Sequence, residues 1–446
     1  MTEMARVEAE LSARWPESKL EPSLDRISEL VDLLGQPQQS FQVIHVAGTN
    51  GKTSTVRMID ALLRGLGLRT GRFTSPHLDT VRERVAIDGV PISEEQFVAT
   101  YEEISPYVAL VDKRHPNTPM SYFEVLVGMA YAAFADSPVD VAVVETGMGG
   151  KWDATNVANG KVAVIMPIDL DHQQYLGDSI EQIAAEKAGI IKPSATAILA
   201  IQQTEAAAVL LTRAATVAAI VAREGMEFGV RHRDVAVGGQ LIAIQGLAGL
   251  YEDVFLPLHG EHQAQNAACA LAAVEAFLGA ENEPLDVDVV RSAFAGTSSP
   301  GRLEVVRRSP TIMVDAAHNP HGAQALVAAL EESFTFTTLI GVVAVLSDKD
   351  AYGLLEILEP VLSHVVVTVN SSPRALPVAE LAQLAEEVFG SERVSVAPRM
   401  DDAIDMAVRL ADEADLYGGG TGVVATGSVV TVADVRRLLG APAEGA

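Results

Sequence analysis

The stretch VAGTNGKTSTVRMIDALL, Val46 to Leu63, holds the glycines, lysine and hydroxyls of a phosphate-binding loop. In the usual spacing, G-x-x-x-x-G-K-[ST], the first glycine would fall at position 46, which is valine. What survives is the shorter run Gly48-Thr49-Asn50-Gly51-Lys52-Thr53. FQVIHVAG before it reads as a strand, and Lys52 to Leu66 reads as a helix. A glycine-rich turn at that junction gathers backbone N–H groups around phosphates, and the helix N-terminus adds partial positive charge. Lys52 can reach the terminal phosphates, and the Thr53 or Ser54 hydroxyl can meet Mg²⁺. Guanine readers use an N-K-x-D-type segment; the nearest match, LSDKD, starts with the wrong residue, so ATP is favoured over GTP.

Other reactive groups cluster at strand ends. VAVVETGMGG puts Glu145 at the end of an apolar strand, where open α/β sheets bind ligands and where a carboxylate can hold Mg²⁺. Gly147, Gly149 and Gly150 after it permit close backbone approach. IDLDHQQYLG places Asp171 and His172 after the next strand. VDAAHNPHG places Asp315, His318, Asn319 and His321 after a third. A zinc site on the two histidines is disfavoured, because no cysteine or third spaced ligand accompanies them. Lys187, in EKAGIIKP, reads from its neighbours alone as a surface lysine.

Short Val/Ile-rich strands alternating with amphipathic helices must position these groups, and that alternation predicts a mostly parallel sheet covered by helices. The texture changes around 226–258, where turn signals and alternation suit a small antiparallel patch, and Glu261 to Leu278 then reads as one long helix. FAGTSSPGR is rich in turn residues, and a new α/β series follows it. The expected organisation is an α/β P-loop-type domain over 1–296, a linker at 297–301, and a Rossmann-like α/β domain over 302–446.

Composition bounds the rest. Of the 446 residues 48% are hydrophobic, which suits a folded protein of two or three domains. A net charge of −27 argues against a nucleic-acid partner, and an anionic substrate would rely on local cations such as Lys52, Arg82, Arg84 and Arg302. No apolar run spans a bilayer and the first residues do not read as a signal peptide, so no membrane partner and a cytoplasmic location are expected. The single cysteine, Cys269, reads as a small buried residue.

Taken in order, GTNGKTS, TSPHL, ERV, YFE, ETGMGGKWDATN, DHQQYLG, EKAGIIK, GEHQAQNA, PGRLE, DAAHNPHGA and TGSV resemble the bacterial folylpolyglutamate synthase/dihydrofolate synthase branch of the Mur ligase superfamily. GTNGK alone is shared across the superfamily; GGKWDATN, DAAHNPHG and EKAGIIK are specific to the folate branch. The resemblance covers roughly residues 20 to 440. It departs at Lys151, often arginine in the family, and at Gln173, and lysine cannot repeat a bidentate arginine clamp.

The resemblance implies roles. Gly48, Thr49, Asn50, Gly51, Lys52 and Thr53 would cradle ATP, with Asn266, Arg302 and Asp315 also gripping the nucleotide. Ser75, Glu145, His172 and Thr53 would hold Mg²⁺, and Lys187, as a carbamate, would serve a second Mg²⁺; a monovalent cation is a further candidate. Ser121, Tyr122, Phe123, Glu124, Trp152, Asp153 and Ala154 would line a pteroate pocket, and His318 and Ser428 would lie near the incoming glutamate. The implied reaction joins L-glutamate to dihydropteroate, and to the glutamyl chain of tetrahydrofolates, through an acyl phosphate. Lys52, Glu145, His172, Lys187, Arg302 and His318 would carry it, and a monomer is the default. Three alternatives stand beside it: extension of folates only, a Mur-type ligase acting on a UDP-linked muramyl peptide, and a P-loop regulatory ATPase. The muramyl reading lacks an N-terminal domain for UDP, and the regulatory one gives no reason for DAAHNPHG.

Overall fold

Strands that are apolar on both faces need cover on both faces, and the computed structural model has two sheets of this kind; it describes residues 2–16, 21–279, 283–415 and 420–442. Two compact units are present. One comprises Met1–Asp234, Leu241–Pro257 and Gln263–Thr297; the other comprises Val235–Gln240, Leu258–His262 and Ser298–Ala446.

The first unit contains β1 (Gln42–Ala47), β2 (Thr70–Phe73), β3 (Val85–Ile87), β4 (Val90–Pro91), β5 (Val141–Glu145), β6 (Gly160–Ile165), β7 (Thr196–Leu199) and β8 (Ile220–Arg223). They form one sheet in the order β4-β3-β2-β5-β1-β6-β7-β8. The pairs from β2 to β8 are parallel, and β3 and β4 make an antiparallel edge. The two strands flanking β1 come later in the chain, so connections diverge on either side of it. Such a switch point opens a crevice at the carboxyl ends of the strands. The loops after β2, β5, β1 and β6 all leave the sheet at that edge, and they carry TSPHL, ETGMGG, GTNGKT and PIDLDH. Behind the edge, the helix Tyr122–Asp136 packs an almost wholly apolar surface into the core, and a Ser121/Glu124 capping box starts it.

The strands β9 (Gly229–Ala236), β10 (Gly239–Gln245) and β11 (Leu250–Leu256) form a three-stranded sheet in the order β11-β10-β9. Only two residues join β9 to β10, a connection that antiparallel neighbours alone allow, as the patch read from the sequence requires. The long helix Glu261–Leu278 follows, with Cys269 buried in it.

In the second unit the strands are β12 (Glu304–Arg308), β13 (Thr311–Val314), β14 (Thr338–Val343), β15 (His364–Val367), β16 (Val394–Val396) and β17 (Thr421–Thr426). Their order is β12-β13-β17-β14-β15-β16, parallel except for β12. Helices including Pro320–Ser333, Ala351–Leu358, Val378–Phe389 and Val429–Leu438 alternate with them. The expected α/β class, with a mostly parallel first sheet and a Rossmann-like second one, is the architecture found.

One core residue makes stability depend on pH. His45, in the middle of β1, is fully buried, and its Nε2 lies 2.8 Å from Thr155 Oγ1. Burial, aided by the charge of Lys192, pushes its pKa down to about 3. The unfolded imidazole protonates near its ordinary 6.5. Between those values the unfolded chain therefore binds the extra proton, and stability is lost as pH falls. The slope is about 1.4 kcal/mol per pH unit for the group. Acid unfolding is expected to set in below pH 6.5, and a His45→Gln variant should lose part of that dependence. If parent and variant lost melting temperature in parallel between pH 6.5 and 5, His45 would not be the cause.

Candidate active site

The phosphate loop is stitched to the chain that leaves β6. Met166 N–H donates to Ala47 O at 2.8 Å, and Thr49 N–H donates to Pro167 O at 2.9 Å. The Thr49 hydroxyl is also 3.0 Å from both the N and the O of Asp169. Gly51 has φ +86°, a left-handed turn that starts the helix Lys52–Gly65. A Cβ there would come within 2.6 Å of Asn266 Oδ1, so the helix Glu261–Leu278 brings Asn266 beside the loop. Asn50 sits at the tip of the turn.

The Gly48 carbonyl is a meeting point. Lys52 Nζ donates to it at 3.1 Å, and to Thr49 O at 3.0 Å. Lys187 Nζ donates to the same Gly48 oxygen at 2.9 Å. Lys187 is only 4% exposed, so the surface lysine read from its neighbours is instead a core residue. The cause is a contact 139 residues away in the chain. Burial, then the nearby charge of Lys52, pushes its pKa down to about 7, with Asp171 and Asp153 opposing.

Glu145, the last residue of β5, gathers the second set. Its carboxylate accepts the Thr53 hydroxyl at 2.9 and 3.0 Å and the Ser75 N–H at 3.3 Å. A strand end, the first turn of a helix and a loop thus converge, all with oxygen or backbone groups. His172 lies beyond β6, in left-handed conformation at φ 53°, with Nε2 at 3.9 Å from Asp171 Oδ2. Among the described residues no group of three or more His, Cys, Asp and Glu side chains is placed to hold a metal by itself, so any cation site here depends on hydroxyls as well.

The residues read as pocket lining divide into two kinds. Tyr122 lies under the Arg84 guanidinium, 5.2 Å from its ring centroid, and Arg84 Nε donates to His77 Nδ1 at 2.9 Å. Phe123 stacks obliquely on Phe73 at 5.8 Å, and Trp152 is half-buried near Gly149. These aromatic faces can pack on a flat ring. Ser121, Glu124, Asp153 and Ala154 serve the scaffold. Ser121 caps its helix. Glu124 is held at 3.0 Å by Arg26 and accepts the Ser121 N–H at 2.8 Å. Asp153 accepts N–H groups of its own loop, from Met148 at 2.8 Å and Thr155 at 3.0 Å, and burial pushes its carboxyl up. Ala154 is buried beside it.

Arg26 is the partner the sequence concealed, because nothing in its own helix marks it. Both members of the pair are nearly inaccessible. Cutting such a pair strands a charge, so Arg26→Ala is expected to destabilise the protein by about 3–5 kcal/mol. Denaturant unfolding measures this, and a loss below about 1 kcal/mol, the surface-pair range, would refute it.

In the second unit Asp315 follows β13, and its carboxylate accepts the N–H groups of Ala317 and Leu303, each at 2.8 Å. Burial pushes its carboxyl up, while Arg302 and His318 counteract. His318 Nδ1 donates to Ala316 O at 2.9 Å, which fixes the orientation of the ring. Ser428 follows β17 and is buried. Its hydroxyl accepts from Thr431 N–H at 2.9 Å and from Asn370 Nδ2 at 3.1 Å, and it lies 2.8 Å from Thr431 Oγ1. A hydroxyl so occupied orders the end of the sheet.

Comparison with known proteins fits this geometry. The Mur ligase middle domain model matches residues 46–274, and the Mur ligase glutamate ligase domain model matches 301–428. A dihydrofolate synthase/folylpolyglutamate synthase of Mycobacterium tuberculosis is 54% identical over 98% of this chain and 94% of its own. A crystal structure of M. tuberculosis folylpolyglutamate synthase complexed with ADP and AMPPCP superposes with a TM-score of 0.94 at 54% identity, covering 99% of both chains. E. coli FolC in complex with DHPP and ADP gives 0.83 at 29% identity, over 98% of each chain. With both halves matched by Mur ligase models and nearly the whole length aligned to these synthases, the chain belongs to the dihydrofolate synthase/folylpolyglutamate synthase family of the Mur ligases.

Proposed function

We propose that this protein is an ATP-dependent ligase that joins L-glutamate to dihydropteroate and to the glutamyl chain of tetrahydrofolates. One observation carries the reading: Thr53 and Ser75 converge on Glu145 beside a glycine carbonyl that holds both Lys52 and Lys187. The names of the relatives and the nucleotides in their structures support it.

A carboxylate is a poor acylating agent, since its charge repels a nucleophile and oxide leaves badly. Attack of the substrate carboxylate on the γ-phosphorus of ATP forms an O–P bond and releases ADP. The amine of glutamate then attacks the acyl carbon to form the C–N bond, the acyl C–O bond breaks, and phosphate leaves with the former carboxylate oxygen as the nitrogen gives up a proton to solvent. Gly48 to Thr53 and Asn266 would hold the nucleotide, with Lys52 and His172 against the negative charge of the transferring group. Tyr122, Phe123 and Trp152 would pack on the pteridine and keep water from the acyl phosphate. Arg302 and Asp315 would grip the nucleotide, and His318 and the Ser428 turn would receive glutamate. On this reading residues 1–296 serve ATP and pteroate, and 302–446 serve glutamate.

The oxygen groups at Thr53, Ser75 and Glu145 suit a hard cation, so they are the residues that would hold Mg²⁺, with His172 adjacent. Bound there, Mg²⁺ would spread the charge of the transferring phosphoryl group. Lys187 has a pKa near enough to neutrality for its amine to take up CO₂, and the carbamate oxygens would serve a second cation. The protein is read as a cytoplasmic monomer; among the described residues no helix is long and apolar enough to cross a membrane.

Phosphate release with ATP, Mg²⁺ and L-glutamate tests the reading, with dihydropteroate in one tube and tetrahydrofolate in another. Release in both, with glutamylated products by mass, is expected. Release with one acceptor would restrict the role to it, and release with ATP alone would favour a regulatory ATPase.

A further inference from the structure

The loop that carries Trp152 and the helix Ile180–Lys187 are fastened backbone to backbone. Lys151 N–H donates to Glu186 O at 2.8 Å. A Cβ on Gly189 would lie 2.3 Å from Lys151 Cα, and one on Gly150 would lie 2.8 Å from Glu186 O and 3.0 Å from Lys187 Cα. Neither neighbour is a side chain that can swing aside, so both glycines exist for close approach.

Asn156 sits astride this contact. Its Nδ2 donates to Lys151 O at 3.1 Å and to Gly189 O at 3.3 Å, one carbonyl on each side. Its own carbonyl accepts Lys192 Nζ at 3.1 Å. The side chain is 6% exposed, and its Oδ1 finds no partner. An amide flip would set that oxygen against two carbonyls, so the network fixes the orientation shown. Lys187 lies at the very end of its helix, where a turn is free to fray. Its amine nonetheless reaches Gly48 O, 139 residues away. A path of bonds therefore runs from the Trp152 loop at Lys151 through Asn156 to Gly189, two residues past Lys187, whose amine meets the phosphate loop.

We propose that Asn156 is a positioning residue that locks the Trp152 loop to the Lys187 helix end, so that the folate-facing loop and the phosphate-facing lysine hold one geometry. The proposal rests on the function assigned above for the roles of Trp152 and Lys187. Asn156 touches neither substrate nor nucleotide on this view. Its loss should slow the chemical step and spare nucleotide binding.

Asn156→Ala removes the bridge, and Gly189→Ala displaces Lys151 without deleting a polar group, so the two test the same contact by different means. In each, kcat with dihydropteroate is expected to fall by about 10²-fold, as for a reacting group misplaced by about 1 Å, while the Kd for Mg-ADP stays within about twofold. The Lys187 carbamate carbon, followed by ¹³C NMR in labelled bicarbonate without added metal, should weaken in both variants. Folded variants that keep kcat and the carbamate signal would overturn the coupling. So would an ADP affinity that falls in step with kcat, since that marks general damage. If the wild type made no glutamylated product, the assigned function would fail, and the carbamate signal would still decide the coupling.

Discussion

Lys187→Met is expected to abolish ligation and at the same time to make the protein more stable. The lost activity should be on the order of 10³-fold, the scale seen when one charged or donor group facing a transition state is removed. The gain in stability follows from burial. In the folded protein the amine has a pKa of about 7, against 10.5 in its ordinary state. Between those values the unfolded chain binds more protons, so stability rises with pH through that window, and the burial penalty is at full strength below pH 7. Methionine has a similar length and no charge, and Gly48 O keeps its bond from Lys52. A gain of order a few kcal/mol is expected near pH 6.5 in bicarbonate-free buffer, shrinking by pH 9.5. Melting temperatures of the two proteins at those two pH values decide it. A methionine variant less stable than its parent at pH 6.5, or a gap that ignores pH, would show that the amine is not strained by its surroundings.

Much of this site is legible in the sequence, and the reason is local. A strand ends where its apolar run ends, so Glu145 could be set at the sheet edge, and the strand–glycine–helix order could be read around Lys52. The alternation of strands and helices in both halves rests on the same short-range periodicity. What could not be read depends on contacts between distant parts of the chain. Lys187 looks like a surface lysine until the helix end meets Gly48. Arg26 and Glu124 lie 98 residues apart, and nothing in the local sequence of either marks the pair. The resemblance implies ligand-facing roles for Asp153 and Ser428, but sequence cannot say whether such a side chain faces a ligand or its own backbone. Here both turn to the backbone and their neighbours, so they build the site more than they line it.

Gly48→Ala should be the most disruptive single-atom-group change in the phosphate loop. Its φ of +151° lies where side chains are rarely tolerated, and a Cβ would fall 2.5 Å from Met166 Cβ and 3.0 Å from Met166 Cα. Relief would require backbone to move, yet the chain on either side is pinned by Met166 N–H on Ala47 O and Thr49 N–H on Pro167 O. Overpacking and backbone strain together should cost about 2–5 kcal/mol. The displaced carbonyl would also release Lys52 and Lys187 at once, so Mg-ADP binding should weaken by about 10²-fold or more. Two other glycines separate the causes. Gly35 has φ +76° with nothing near its Cβ, so Gly35→Ala carries strain alone, about 1 kcal/mol, and should bind nucleotide normally. Gly51, at φ +86°, meets the Asn266 side chain, which can rotate away; Gly51→Ala should fall between the two in stability while still weakening nucleotide binding. Denaturant unfolding and ADP titration of the three variants give the order. If Gly48→Ala were no more destabilising than Gly35→Ala, the loop would be free to shift, and its carbonyl could not be what fixes the two lysines.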